Sequence, residues 1–210
     1  DAFAGGQDYL AACTVGLPPR ATRDAVLADL DASVAGRPDP ASYSSAVERS
    51  RAHFATLAGI SPTRIAIGSQ TSVQASLLAA SLPDGAEVLV PKRDFSSIVL
   101  PFVHAGRGIR VRTAPLHALA DAVGPATALV AFSLVQSATG EVADDAAIVA
   151  AARAHGARTL CDATQAVGWM PVDASRYDAL VCHAYKWLCA PRGVAFLAVS
   201  ADYAATLRPV

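Results

Sequence analysis

Lys186 stands in the stretch His183-Ala184-Tyr185-Lys186-Trp187-Leu188, directly after an apolar run. Aromatic and apolar neighbours disfavour the charged ammonium and lower a lysine's pKa. A lysine tuned in this way is the nucleophile that Schiff-base formation needs. Taken alone, a surface lysine or an ion-pair partner for Asp162 explains the residue as well. Asp162 ends the apolar run from Arg158 to Cys161. A carboxylate there incurs a desolvation penalty unless a cation or a hydrogen-bond donor meets it. Gly68-Ser69-Gln70-Thr71 leads straight into a helical pattern. The free N–H groups and dipole of a helix start favour an anion such as phosphate, although an ordinary N-cap by Ser69 or Thr71 accounts for the same residues. Phe95, just past Pro91-Lys92-Arg93-Asp94, is either a lid for a flat ligand or a core aromatic. Gln136 and Ser137 are polar groups that follow another apolar run, Ala128 to Ser133.

These residues need elements to hold them. From residue 63 onward, short β-rich runs alternate with Ala- and Leu-rich helical runs. The spacing predicts strands over Arg64–Gly68, Glu87–Val90, Ile109–Thr113, Ala128–Ser133, Arg158–Asp162, Ala179–His183 and Val194–Val199. Helices are predicted over Thr71–Ala80, Ser96–His104, Leu116–Val123 and Asp144–His155. The strands are nearly continuous apolar runs, as burial on both faces requires. Alternating strands and helices of this kind predict an α/β three-layer sandwich around a mostly parallel sheet. Upstream, residues 1–20 read as irregular. A helix over Arg20–Ala35 places Ala25, Val26, Leu27 and Leu30 near one face, and a second helix runs from Ser44 to Leu57. Ligands of such sheets bind beyond the carboxyl ends of the strands, which is where the chemistry-bearing residues fall. An apolar-flanked lysine, a buried acid, an anion seat and an aromatic lid together match what pyridoxal 5'-phosphate (PLP) requires of a protein.

Composition narrows the alternatives. The 210 residues are 53% hydrophobic, enough for one large core. Charged residues are 17% and the net charge is -1, so no field of one sign points to nucleic acid or an acidic membrane. The apolar run Ala126 to Val135 contains Thr127 and Ser133 and is too short to span a bilayer. Asp1 to Asp8 show no signal-peptide pattern. Cys13, Cys161, Cys182 and Cys189 form no CxxC pair; they read as small hydrophobes of a reducing, cytoplasmic setting rather than as metal ligands. A nucleotide-binding α/β protein is the competing class. Its glycine fingerprint is missing, since Gly106-Arg107-Gly108 precedes a strand instead of linking strand to helix.

Asp162-Ala163-Thr164-Gln165, the stretch from Asp178 to Lys186-Trp187-Leu188, and Pro191-Arg192-Gly193-Val194 resemble the class V aminotransferase family. That family includes cysteine desulfurases, kynureninases and isopenicillin-N epimerases, and the resemblance runs from Tyr9-Leu10 to about Val199. It implies the aspartate-aminotransferase fold, or fold type I. Residues 61–210 would form the PLP-binding large domain, and 1–60 the N-terminal segment and helices leading into it; a small C-terminal domain would lie outside this chain. It implies that Lys186 holds the cofactor as a Schiff base and serves as general base, while Asp162 pairs with the pyridine nitrogen. Phe95 would stack on the ring, Thr164 pack on its other face, and Gln165 bond near the phenolic oxygen. Ser69, Gln70, His183 and Tyr185 would hold the phosphate. Three departures stand out. Tyr185 replaces the usual His, as in kynureninases. Ser137 replaces the Asn of desulfurases, which hands its contact to Gln136. Phe95 replaces a His that desulfurases use for proton transfer. None of the four cysteines lies where a desulfurase carries its persulfide. The implied activity is that of an aminotransferase or a cysteine desulfurase/C–S lyase on an amino-acid substrate, with kynureninase- or epimerase-type chemistry as alternatives. A homodimer with a shared active site is implied too.

Overall fold

The computed structural model describes residues 2–208. Helix α1 (Arg20–Val34) is followed by α2 (Pro40–Leu57), which starts earlier than its apolar pattern suggests. The reason is local: the Asp39 side chain accepts from the backbone N–H groups of Ala41 and Ser42, and Pro40 fits the first helical position. The chain then runs through β1 (Ile65–Gly68), α3 (Thr71–Ser81), β2 (Glu87–Pro91), α4 (Ser96–Val103), β3 (Arg110–Ala114) and β4 (Thr127–Ser133). It continues through α5 (Asp145–Ala154), β5 (Arg158–Asp162), β6 (Ala179–His183), β7 (Ala195–Val199) and α6 (Ala201–Ala204). The helix expected over Leu116–Val123 is a single 3₁₀ turn, Leu116–Ala118.

The strands form one seven-stranded sheet in the order β1-β7-β6-β5-β4-β2-β3. Only β7 runs against its neighbours, pairing antiparallel with both β1 and β6. Successive side chains point to opposite faces, so each strand feeds two cores. Val130, Phe132, Cys161 and Leu180 pack on one face with α2 and α5 residues such as Phe54 and Ile148. Leu129, Ala131, Leu160 and Val181 pack on the other with α3 and α4 residues such as Leu78 and Phe102. Phe54 anchors α2 by stacking on Phe196 of β7, with centroids 4.2 Å apart. The layers are therefore helix, sheet, helix, as the alternating pattern predicted.

Helix α1 departs from expectation in one respect. It forms over the predicted residues, yet its apolar side chains stay out of the core: Val26, Leu27 and Leu30 are all exposed. Among the described residues no helix is long and apolar enough to cross a membrane.

Candidate active site

Parallel register brings the carboxyl ends of β4, β5 and β6 together. Ser133 pairs with Asp162, and Asp162 with Val181, so Asp162 sits at the middle of the sheet's edge. A cleft of about 250 Å³ opens there. Lys186, Asp162, Phe95 and His183 all line it, as do Gln70, Thr164, Gln165, Tyr185 and Ser137.

Asp162 is 5% exposed, and its Oδ1 accepts the Thr164 backbone N–H at 2.9 Å. Burial pushes its carboxyl up to about 6; the hydrogen bonds from Thr164 and the Lys186 charge pull the other way, and the nearby Asp94 carboxylate adds to the rise. Lys186 is 4% exposed, with Nζ 5.1 Å from the centroid of the Phe95 ring and 5.8 Å from that of Tyr185. Burial holds its ammonium below the ordinary lysine range, against the opposing pull of Asp162. The local sequence delivered this: Lys186 follows β6 by only three residues, inside a turn walled by aromatic rings.

That turn is held from outside by the N-terminal segment. The Gly16 N–H donates to the Tyr185 carbonyl at 2.8 Å, and the Cys189 N–H closes the loop on the Lys186 carbonyl at 3.0 Å. A Cβ on Gly16 would lie 1.9 Å from that same carbonyl oxygen. Glycine is required here for close approach. Gly16→Ala is expected to destabilise the protein by about 1–3 kcal/mol through overpacking and to loosen the lysine loop. A urea melt superimposable on wild type would show that the segment yields freely.

Gln165 is tied on every side. Its Nε2 donates to the Cys13 carbonyl at 3.0 Å and to Ser137 Oγ at 3.2 Å, while its Oε1 accepts the Trp187 indole N–H at 2.9 Å. Because Ser137 Oγ accepts from Gln165, the hydroxyl hydrogen is free to donate into the cleft.

Phe95 reaches the cleft from a turn gripped by Asp94. The Asp94 carboxylate accepts from Phe95 N–H at 2.7 Å, Ser133 Oγ at 2.6 Å and Ser133 N–H at 2.9 Å, joining the turn after β2 to the end of β4.

Two expected residues fall outside the cleft lining. Gln136 is buried at the base of a turn and does not line the cavity, whereas Val135 and Ser137 on either side of it do. Ser137, not Gln136, therefore supplies the polar group at that wall. Ser69 lies past the end of β1, is exposed and does not line the cleft; from that hydroxyl run it is Thr71 and Ser72, in the first turn of α3, that do. The Thr71 side chain is buried and its Oγ1 has no partner; His183 Nε2 is likewise buried and unpaired. The His183 ring meets Tyr185 edge-on at 4.5 Å, and burial keeps the imidazole below its usual pKa, helped by the Arg192 and Lys186 charges. Arg192 and Ser133 also line the cleft. Thr71 is legible as part of the hydroxyl run before α3, whereas Arg192 stands in the Pro191-Arg192-Gly193-Val194 stretch of the resemblance without a role assigned to it.

The family model for aminotransferase class-V matches residues 36–210. The chain belongs to that family. Isopenicillin N epimerase of Amycolatopsis lactamdurans is 32% identical over 182 residues, covering 76% of this chain and 45% of that protein. Cysteine desulfurase of Frankia sp. (strain EuIK1) is 32% identical over 187 residues, covering 78% of this chain and 44% of that protein. The chain thus spans about half the length of these curated class-V relatives. The cystine C-S lyase C-DES, solved with its product cysteine persulfide, superposes with a TM-score of 0.85 at 25% identity, covering 95% of this chain and 58% of that one. A further C-DES structure carries glycine covalently linked to the PLP cofactor. The fold is that of the class-V, fold type I large domain.

Proposed function

We propose that this chain is the cofactor-binding part of a PLP-dependent enzyme that acts on an amino acid. One observation carries the reading: a single cleft joins a buried amine, Lys186, to a buried carboxylate, Asp162, with unpaired polar atoms on Thr71 and His183 beside them. Unpaired polar atoms are costly unless a ligand meets them. An anion at the start of α3 would engage Thr71, Ser72 and the free backbone N–H groups there.

Bound in this cleft, PLP supplies an electrophilic carbon for an amine and an electron-accepting ring. The protein's own groups divide the remaining work. Lys186 Nζ, its charged form disfavoured by burial, would be the amine that holds the cofactor and, once the substrate's own amine has displaced it, the base that moves the proton at the α-carbon. Asp162 would hold a proton at the ring nitrogen and provide the compensating charge. Phe95 would cover one ring face and exclude water there without moving protons. Ser137 donates its hydroxyl, held in direction by Gln165 and, through it, Trp187.

The reaction class we favour is carbon–sulfur cleavage or desulfuration, level with transamination. The cystine C-S lyase likeness supports the first and the family the second. Epimerisation follows, on the strength of the epimerase relative. A homodimer and a small C-terminal domain completing the site belong to the same proposal.

The test uses the full-length protein incubated with PLP. A visible band that borohydride bleaches, with the reduced adduct mapped by mass spectrometry to Lys186, is the expected result; labelling of a different lysine refutes the assignment. Incubation with cysteine, alanine, serine and kynurenine, scored for sulfide, pyruvate and keto acid, then separates the reaction classes.

A further inference from the structure

We propose that Arg192 clamps the cofactor phosphate, as an anion-binding residue beyond the hydroxyl and imidazole groups described above. The inference rests on the PLP reading and sharpens it. Arg192 lies in the turn between the lysine loop and β7, and it lines the same cleft as Thr71, Ser72 and His183. Its guanidinium carbon is 4.4 Å from the centroid of the Tyr185 ring. A guanidinium that lies over an aromatic face is anchored there by cation–π attraction and keeps N–H groups free for an anion. Among the described residues Arg192 pairs with no carboxylate.

The neighbouring groups need such a charge. Thr71 and His183 offer unpaired polar atoms, but a hydroxyl carries no charge and burial disfavours the charged imidazole. Lys186 is committed to the reacting end, 5.1 Å from the Phe95 ring centroid. Arg192 is the remaining cation in the wall of this cleft among its described lining residues. Its planar fork suits phosphate oxygens, and charge-assisted bonds of this kind are about twice as strong as neutral ones. Tyr185, standing where the usual motif has His, thereby gains a role: it is the platform on which the guanidinium rests.

The test separates the phosphate from the ring. Cofactor-free full-length protein, as wild type, Arg192→Met and Arg192→Lys, is titrated with PLP and, separately, with pyridoxal, which has the same ring and aldehyde but no phosphate. The readout is the absorbance of the lysine adduct, not turnover. Arg192→Met is expected to weaken PLP binding by about tenfold or more while leaving pyridoxal binding within about twofold. Arg192→Lys should recover part of the loss, because the charge returns without the fork. Inorganic phosphate should compete with PLP in wild type and less well in Arg192→Met. Equal loss for both compounds, or loss for neither, overturns the assignment of Arg192 and leaves the cofactor reading standing. If wild type gives no borohydride-fixed adduct on Lys186 with either compound, the cofactor reading falls and the Arg192 role with it.

Discussion

Lys186→Ala is expected to lower turnover of the full-length protein by at least about 10⁴-fold, since one substitution removes both the proposed nucleophile and the proposed proton-moving base. The structure explains why no neighbour substitutes for it. Phe95 and Tyr185, the rings nearest its Nζ, do not replace an amine as nucleophile. The other cation of the cleft, Arg192, lies over the Tyr185 ring and carries a guanidinium rather than an amine. Folding should survive the change. Burial disfavours the Lys186 ammonium, so deleting it removes a cost rather than a support. The melting temperature of the cofactor-free variant should match or exceed that of wild type. Turnover within tenfold of wild type, in a variant that melts normally, would mean that the chemistry sits elsewhere.

The second large effect concerns Asp162, for which activity and stability should move in opposite directions. Asp162→Asn keeps an oxygen to accept the Thr164 N–H but loses the charge that balances a protonated ring nitrogen. A loss of roughly 10²–10³-fold in turnover is expected, the scale of removing one preorganised electrostatic contact. In the cofactor-free protein the same change should be stabilising. The Asp162 carboxyl is raised from 3.8 to about 6 in the fold, chiefly by burial. Between those values the folded state holds a proton that the unfolded state has released, so stability falls as pH rises through this window. Above about pH 7 both states are ionised and the whole cost of burying the charge is present. At 1.36 kcal/mol per pKa unit this is about 3 kcal/mol. Asp162→Asn should therefore raise the melting temperature of cofactor-free protein at pH 8, with the gain shrinking toward pH 4. Added PLP, which brings Asp162 a cationic partner, should raise the wild-type melting temperature more than the variant's. A variant that melts lower than wild type at pH 8 would contradict the reading of Asp162 as a buried charge only partly compensated in the cofactor-free protein.

Much of this was legible in the residues themselves. Period and composition suffice for the strands because they are buried on both faces: Arg158–Asp162 and Ala179–His183 fall where the apolar runs end. Polar residues at those ends had to be functional or compensated, which singled out Asp162 and Lys186. Helix α2 was misplaced at its start because its boundary is set by Asp39 capping, a hydrogen bond that apolar periodicity does not register. Exposed apolar residues along α1 show a further limit, since periodicity says which side of a helix is apolar but not whether anything in the chain covers it.

By itself the sequence determined the layered α/β architecture, the polar residues at its strand ends, and the amine and acid that line the cleft. Those properties follow from local hydrophobic pattern and from the cost of ending an apolar strand in a charge. Only the tertiary structure decided which polar groups share the cleft: Ser137 over Gln136, Thr71 and Ser72 over Ser69, and Arg192 at the wall. The direction of a side chain at a strand end is set by register against neighbours distant in sequence. The pairing of Ser133 with Asp162, like the seating of Gly16 on the lysine loop, exists only once those strands and that segment have come together.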